Sequence, residues 1–356
     1  MMPTEPQAGW QDADPRDAGF DPAALDRFTG KLQSLTTTSF MVVSRGRVIY
    51  RHGDVSEASY LASTRKSILS LLYGPHVASG RIDLDLTLDQ LGIDDVKGLW
   101  PAEKRATIRD ILTSRSGVYY PAGSPGGDDA GTPPRGSQAP GTRLHYNNWD
   151  FNVAGAIFEQ LTGIAVHDAL RDQLAVPLGF EDFDRGRQRM LGYPDRSRFL
   201  AYHMFLSGRD MARVGLLVLR GGRWNGQQIV PESWVRDCVA PHVRPAEMHG
   251  QFTGRGLGYG YYWWVPMHTE AAEWQGAFLA SGHYGQFVLG LPKLDLLMVH
   301  RRAISDERAM RRNAGIDLGD LPSVSSTQMV ALGQAILDCR DGVSPRAGTT
   351  PPPQQP

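Results

Sequence analysis

The chain has 356 residues, with 37 Lys and Arg against 38 Asp and Glu and a formal net charge of −1. That length buries a large core in one elaborated domain or two intimately packed ones. A balanced charge without a Lys/Arg block argues against nucleic acid and an anionic membrane as partners, and leaves a small neutral or mixed-charge molecule.

The start, Met1-Met2-Pro3-Thr4-Glu5-Pro6, has neither the charged nor the apolar region of a leader. No stretch reaches the roughly 18 apolar residues of a membrane span. The expectation is therefore a soluble cytoplasmic protein. Residues 1–20 read as a loose N-terminal arm. Pro22 to Leu35 reads as a helix, followed by Phe40-Met41-Val42-Val43 and Val48-Ile49-Tyr50, a hairpin turning through Arg45-Gly46.

From Ser63 to about Val239 the pattern is mostly helical. Ile68-Leu69-Ser70-Leu71-Leu72 opens it. Thr107-Ile108-Arg109-Asp110 has the form of a capping box with Gly117 after the helix end, and Ser207-Gly208-Arg209-Asp210 repeats the box with Gly221-Gly222 as its close. After a helix near Pro231 to Cys238, strands are expected at Tyr259 to Val265, Gln286 to Leu291 and Leu294 to His300, with Pro292-Lys293 turning between the last two. A final helix carries Val324, Met329, Leu332 and Ile336. Asp341 to Pro356 is rich in Pro, Gly and Thr and is expected to be disordered. Cys238 and Cys339 lack the close spacing of a metal or redox pair and are expected to be buried free thiols.

The fold class is thus mixed α/β (α+β). An antiparallel sheet is assembled from residues 21–62 and 256–340 and flanked by N- and C-terminal helices, with a mostly helical insertion over 63–255.

Three segments carry chemistry. Ser63-Thr64-Arg65-Lys66 places a hydroxyl and an amine three residues apart at a helix start, on one helix face. A partly desolvated lysine beside a serine can act as its base, and the positive end of the helix favours negative charge developing on the serine oxygen. By itself the pattern also fits a helix cap followed by a solvated lysine. Tyr146-Asn147-Asn148 precedes Phe151, Val153, Ala154, Ile157, Phe158 and Leu161, which have helical spacing and end at Gly163. Asn148 is the expected N-cap, and the Tyr146 phenol is expected in the preceding loop. Ser281-Gly282-His283-Tyr284-Gly285-Gln286 runs into the Phe287-Val288-Leu289 strand, where glycines allow close approach and a main-chain N–H can stabilise an oxyanion.

Together these segments resemble the serine β-lactamase and penicillin-binding-protein superfamily, specifically the class C β-lactamase-like esterases and amidases. The order S-x-x-K, Y-x-N and K/H-x-G is met by Ser63/Lys66, Tyr146/Asn148 and His283-Tyr284-Gly285. Three further stretches are similar to family segments: Thr107 to Gly117, Ser207 to Gly215 and Tyr259-Gly260-Tyr261-Tyr262-Trp263-Trp264. The similarity runs over roughly residues 20 to 340.

The resemblance implies a β-lactamase/transpeptidase-like fold and attack by Ser63 on an acyl carbonyl to give an acyl-enzyme, with no metal or organic cofactor. Lys66 and Tyr146 share the proton transfers, and which is the base stays open because interacting groups titrate together. Asn148 orients Lys66 and the substrate amide, and the backbone N–H groups of Ser63 and Gln286 form the oxyanion hole. Where the antibiotic-hydrolysing relatives carry lysine, this chain has His283, a weaker and pH-dependent charge for a substrate carboxylate. That favours a small ester or amide over a β-lactam or D-peptide. Tyr284 replaces a small residue and is expected to narrow the acyl pocket.

The Gly- and Pro-rich segment Tyr119 to Arg143, with Asp128, Asp129 and Arg135, reads either as a wall of the cleft or as a surface insertion. Of Trp149, Trp263 and Trp264, no more than one is expected to touch substrate. Three functions compete: a serine hydrolase acting on a small-molecule acyl substrate, an acyltransferase using the same acyl-enzyme, and a binding protein that has lost turnover. The joint presence of Ser63, Lys66 and Tyr146 argues against the last.

Overall fold

The computed structural model describes residues 9–124, 131–313 and 321–340. A seven-stranded antiparallel sheet forms its centre. The strands are β1 (Ser39–Ser44), β2 (Arg47–Gly53), β3 (Leu257–Tyr259), β4 (Trp264–Pro266), β5 (Phe278–Gly282), β6 (Gln286–Leu291) and β7 (Leu296–Arg301), in the order β2-β1-β7-β6-β5-β4-β3. The two ends of the chain meet at β1 and β7, paired from Ser39 opposite Arg301 to Ser44 opposite Leu296. Every residue of β1, β6 and β7 is buried, which is why these strands read as continuous apolar runs rather than as alternation.

Helices close both faces. Those used below are α1 (Pro22–Ser34), α2 (Thr64–Ala78), α3 (Ile108–Leu112), α4 (Asn148–Thr162), α5 (Gly208–Leu219), α6 (Glu232–Cys238) and α7 (Ser326–Leu337). α1 starts where the Asp21 carboxylate accepts from the Ala23 amide ahead of a first-turn proline, and it buries Leu25, Phe28 and Leu32. Ser325 and Gln328 cap α7 reciprocally. α5 lies so close to the sheet that a Cβ on Gly215 would sit 2.5 Å from Val288 and 2.6 Å from Leu297. α7 does the same on the other side, with Gly333 against Leu289 at 2.6 Å. Val288 and Leu289 are consecutive and point to opposite faces. α5 and α7 therefore cover opposite sides of one sheet.

Several expectations need correction. From residue 9 onward the arm is packed rather than loose. Val48 donates its amide to Gln11 and accepts from Ala13, the Trp10 indole donates to the Arg209 carbonyl, and Phe20 is buried, because two large apolar side chains anchor the segment. Tyr259 to Val265 is two strands instead of one: Tyr262 adopts φ 64° and turns β3 back onto β4, pairing Tyr259 with Trp264. β5 was not anticipated. Gly117 does not close α3, whose C-cap is Thr113. It turns at φ 68° beneath residues 138–140, where a Cβ would lie 2.8 Å from the Gln138 carbonyl.

The box at Thr107/Asp110 is complete. At α5, Ser207 accepts from the Asp210 amide, while the Asp210 carboxylate accepts from the amides of Glu181 and Asp182. Desolvation pushes the Asp210 carboxyl up to about 6. Both cysteines are buried free thiols, and desolvation raises both. No helix among the described residues is long and apolar enough to cross a membrane. The tail 341–356 lies outside the described residues.

Candidate active site

α2 is an apolar helix whose polar side chains pin it to its neighbours. Ser67 Oγ donates to the Tyr262 carbonyl at 2.6 Å, Tyr73 Oη to the Ala154 carbonyl at 2.6 Å, and the indoles of Trp234 and Trp263 reach Ser70. Its first residue follows Ser63, which is half-buried while Thr64 to Gly74 are buried. The chain enters through Ala62 at φ 48°, a left-handed conformation that strains a residue with a Cβ. Such strain costs on the order of 1–3 kcal/mol and concentrates at functional turns. Nothing in the sequence marks Ala62, since alanine carries no turn signal.

The Lys66 amide donates to the Ser63 carbonyl at 3.0 Å, so the two residues share one helical turn. Lys66 is 1% exposed. Its Nζ donates to Tyr146 Oη at 2.9 Å and to Asn148 Oδ1 at 3.0 Å, and lies 3.5 Å from the Phe151 ring centre and 4.2 Å from that of Tyr146. The amine thus sits over two aromatic faces where water is excluded. The first two sequence segments are thus brought together.

The cap of α4 differs from expectation by one residue. Asn147 is the N-cap: its Oδ1 accepts from the Trp149 amide at 3.0 Å and its Nδ2 donates to the Val118 carbonyl at 2.7 Å. Asn148 is the first helical residue, which leaves its side chain to face Lys66. An adjacent pair of asparagines divides the work, one holding the helix and the other the lysine.

The third segment is the β5–β6 hairpin. Gly282 pairs with Gln286, and His283, Tyr284 and Gly285 form the turn between them. Gly282 lies against the turn that carries Ser63: a Cβ there would lie 2.4 Å from the Leu61 carbonyl oxygen and 2.8 Å from Thr64 Oγ1. Only glycine lets this backbone come so near. Thr64 Oγ1 donates to the Gln286 carbonyl at 2.7 Å, tying the turn to the residue after Ser63. His283 is exposed, with its ring edge-on to Tyr284 at 4.2 Å. Tyr284, at φ 69°, is buried in a small cluster with Tyr60, Ala62, Phe205, Ile304 and Ala309. It packs behind the Ala62–Ser63 turn.

Trp149, Trp263 and Trp264 are all buried in the core, and Trp264 also stacks on Tyr146 with ring centres 5.8 Å apart. Phe151 at 4.6 Å, Phe252 at 5.4 Å and Tyr259 at 6.2 Å complete the aromatic surround of Tyr146. Phe252 lies in a short 3-10 turn that sequence periodicity did not mark. In the Tyr119 to Arg143 segment, Asp128 and Asp129 fall outside the described residues. Arg135 is bidentate to the buried Glu103, donates to the Gly98 carbonyl and lies over the rings of Trp100 and Tyr120. This half of the loop is bolted to the body through ion pairing that periodicity does not reveal. Tyr119 is buried, stands edge-on to His145 at 5.3 Å, and desolvation pushes its phenol up to about 12.

The sequence matches the model of the Beta-lactamase family over residues 25–301, well over half the chain. This protein belongs to the beta-lactamase family. Solved structures agree on the fold. A proposed 6-aminohexanoate-dimer hydrolase from Bacillus anthracis superposes with a TM-score of 0.63 at 22% identity, covering 87% of this chain and 80% of that one. A proposed beta-lactamase from Bacteroides dorei gives 0.64 at 17% identity, covering 90% and 98%. EstCE1, described as a hydrolase with promiscuous acyltransferase activity, gives 0.57 at 17% identity, covering 83% and 97%. The beta-lactamase fold places a large antiparallel sheet beside helices, and in this member Ser63, Lys66, Tyr146, Asn148 and Gly282 converge where they meet.

Proposed function

We propose that this beta-lactamase family member is a serine hydrolase that cleaves a small ester or amide through an acyl-enzyme on Ser63. The observation that carries the reading is the buried Lys66 Nζ, held by Tyr146 Oη and Asn148 Oδ1 one helical turn from a half-buried serine. A serine hydroxyl is a weak nucleophile until a neighbouring base takes its proton. Lys66 and Tyr146, joined by a hydrogen bond, form one proton-transfer unit for that step and for protonating the leaving group. Ser63 Oγ adds to the carbonyl, the leaving group departs with a proton, and water attacks the resulting ester to regenerate Ser63.

Negative charge on the tetrahedral oxygen falls to the Ser63 N–H and to main chain of the 282–286 turn, a type of contribution worth roughly 3–4 kcal/mol per donor. His283, exposed at the tip of that turn, meets the part of the substrate beyond the reacting carbonyl, and the aromatic group around Tyr146 sets an apolar wall. A class C-like esterase or amidase fits this arrangement better than a true β-lactamase, because histidine stands where those enzymes carry lysine.

Acyl transfer is the second reading, supported by the activity named for one structural neighbour. It differs only in the acceptor of the acyl group. The deciding experiment is intact-protein mass after exposing wild type and Ser63→Ala to activated short-chain esters, amides and one penicillin, with and without a competing amine. A Ser63-dependent adduct or product release is expected. Amide product formed at the expense of acid would favour the transferase, and turnover surviving in Ser63→Ala would sink the mechanism.

A further inference from the structure

The turn that approaches Ser63 is held from beneath by a residue none of the three motifs contains. His300 lies on β7, fully buried, with its ring packed edge-on to Phe40 at 6.0 Å and tilted against Phe287 at 5.9 Å. Its Nδ1 is 2.7 Å from the Gly285 carbonyl oxygen and its Nε2 is 2.9 Å from Thr37 Oγ1. A carbonyl only accepts, so Nδ1 carries the proton, and the bare Nε2 accepts from the Thr37 hydroxyl. Both ring nitrogens are satisfied by a neutral imidazole in one tautomer. Burial supports the same state by lowering His300 to about 4.

The ring fits only because its partner is glycine. Gly285 has φ 116°, and a Cβ there would meet His300 Cε1 at 3.0 Å and the Val324 Cβ at 3.1 Å. The Gly285 carbonyl belongs to the same planar peptide unit as the Gln286 N–H, which points the opposite way. Fixing the carbonyl on His300 therefore fixes the peptide that starts β6. Gln286, into which this peptide leads, pairs with Gly282 and at its own carbonyl accepts from Thr64 Oγ1. A continuous set of contacts runs Thr37, His300, Gly285, Gln286, Thr64, and ends beside Ser63.

We propose that His300 is a positioning residue for the reaction at Ser63, holding the 282–286 turn against the Ser63–Thr64 turn through the Gly285 carbonyl. The proposal rests on the hydrolase reading above. A misplaced oxyanion turn lowers the rate of the chemical step more than it lowers ground-state binding, so the signature is a loss in kcat at nearly constant KM.

The experiment compares wild type with His300→Asn, His300→Gln and His300→Leu, reading steady-state hydrolysis of an activated ester, melting temperature, and hydrogen exchange of peptides spanning 283–287 and 61–66. The Asn amide nitrogen takes the place of Nδ1 and retains the bond to Gly285, whereas the longer Gln amide reaches toward Thr37 instead. His300→Asn is expected to keep kcat within about threefold, while Gln and Leu lose roughly 10- to 100-fold, the equivalent of one hydrogen bond at the reacting centre, with KM within about twofold. Exchange over 283–287 should rise in the Gln and Leu proteins only.

Wild-type kcat in the Gln variant, or equal losses in Asn and Gln that follow their melting temperatures, would overturn the positioning role. A wild type without Ser63-dependent turnover fails the hydrolase reading itself. The clamp is then judged on exchange alone, and unchanged exchange in the Gln variant overturns it.

Discussion

Asn147 and Asn148 are neighbours of one residue type, and the structure assigns them opposite consequences. Asn147→Ala removes the α4 cap and the bond from Nδ2 to the Val118 carbonyl. A lost cap costs typically ~1 kcal/mol and a lost hydrogen bond about another. Unfolding entropy near 2.1 cal/mol/K per residue, over a folded body of roughly 320 residues, is about 0.7 kcal/mol/K. Losing roughly 2 kcal/mol therefore lowers the melting temperature by about 3 °C.

Asn148→Ala leaves the cap intact and puts a good helix former in the first turn, so its melting temperature should stay within about 1 °C of wild type. It removes the acceptor 3.0 Å from Lys66 Nζ. A hydrogen bond to a group that becomes charged during the proton transfer is worth about 1.5–3 kcal/mol, which predicts roughly a 10- to 100-fold slower Ser63 acylation. Calorimetry and the rate of adduct formation by mass spectrometry, run on both variants, are sufficient. Asn148→Ala acylating at the wild-type rate while melting low, with Asn147→Ala showing the reverse, would refute this account of the site.

Lys66→Ala and Tyr146→Phe are each expected to slow acylation by orders of magnitude with little change in substrate KM, since both remove a proton-transfer partner rather than a binding contact; preserved rates in either, followed by stopped-flow burst kinetics, would contradict the shared role. Arg135→Ala strands the buried Glu103 carboxylate, and although the Trp100 amide still donates to it, denaturant unfolding should show a loss of about 3 kcal/mol; a neutral substitution would mean that the 131–143 segment is not anchored there. His300 also gives a pH prediction. Its folded value of about 4 lies below the ordinary histidine value of 6.5, so its contribution is present above pH 6.5 and is lost as pH falls toward 4. Other buried groups titrate with the opposite sign, Asp210 among them, so the informative quantity is the stability of wild type minus that of His300→Asn. That difference should fall by about 3 kcal/mol between pH 6.5 and 4, measured by urea unfolding, and a flat difference would show that His300 is not held neutral.

Much of this architecture was legible because local signals coincide with tertiary need. The Thr107/Asp110 box starts its helix by bonds within a few residues, the apolar spacing of Val324, Met329, Leu332 and Ile336 marks the last helix, and apolar runs mark strands covered on both sides. The misreadings arise where a distant partner decides. Asn147 is the cap because Val118 waits for its amide, and the box at Asp210 is half-formed because Glu181 and Asp182 compete for the carboxylate. Phe278-Leu279-Ala280-Ser281-Gly282 becomes a strand through its pairing with β6, and five short residues show no period of their own. In the site, Ser63, Lys66 and Tyr146 announce themselves by spacing. Ala62, Gly282 and His300 do not, since their contribution is backbone geometry and support supplied by parts of the chain far away in sequence.

The pairing of β1 with β7 has a consequence during synthesis. Ser39 and Arg301 are hydrogen-bonded neighbours in the sheet, yet ribosomes elongate at about 5–20 residues per second, so the first strand waits roughly 13–52 s for its partner to be made. Throughout that interval the β1–β2 hairpin presents an apolar, unpaired edge of the kind that recruits other chains. A holding chaperone should therefore engage nascent chains longer than the hairpin and release them only once β7 has emerged. Since the turn beside Ser63 is fastened to that same strand through His300, a product ending before it would lack that support. Synthesis would therefore delay the proposed reactivity until β7 has been made.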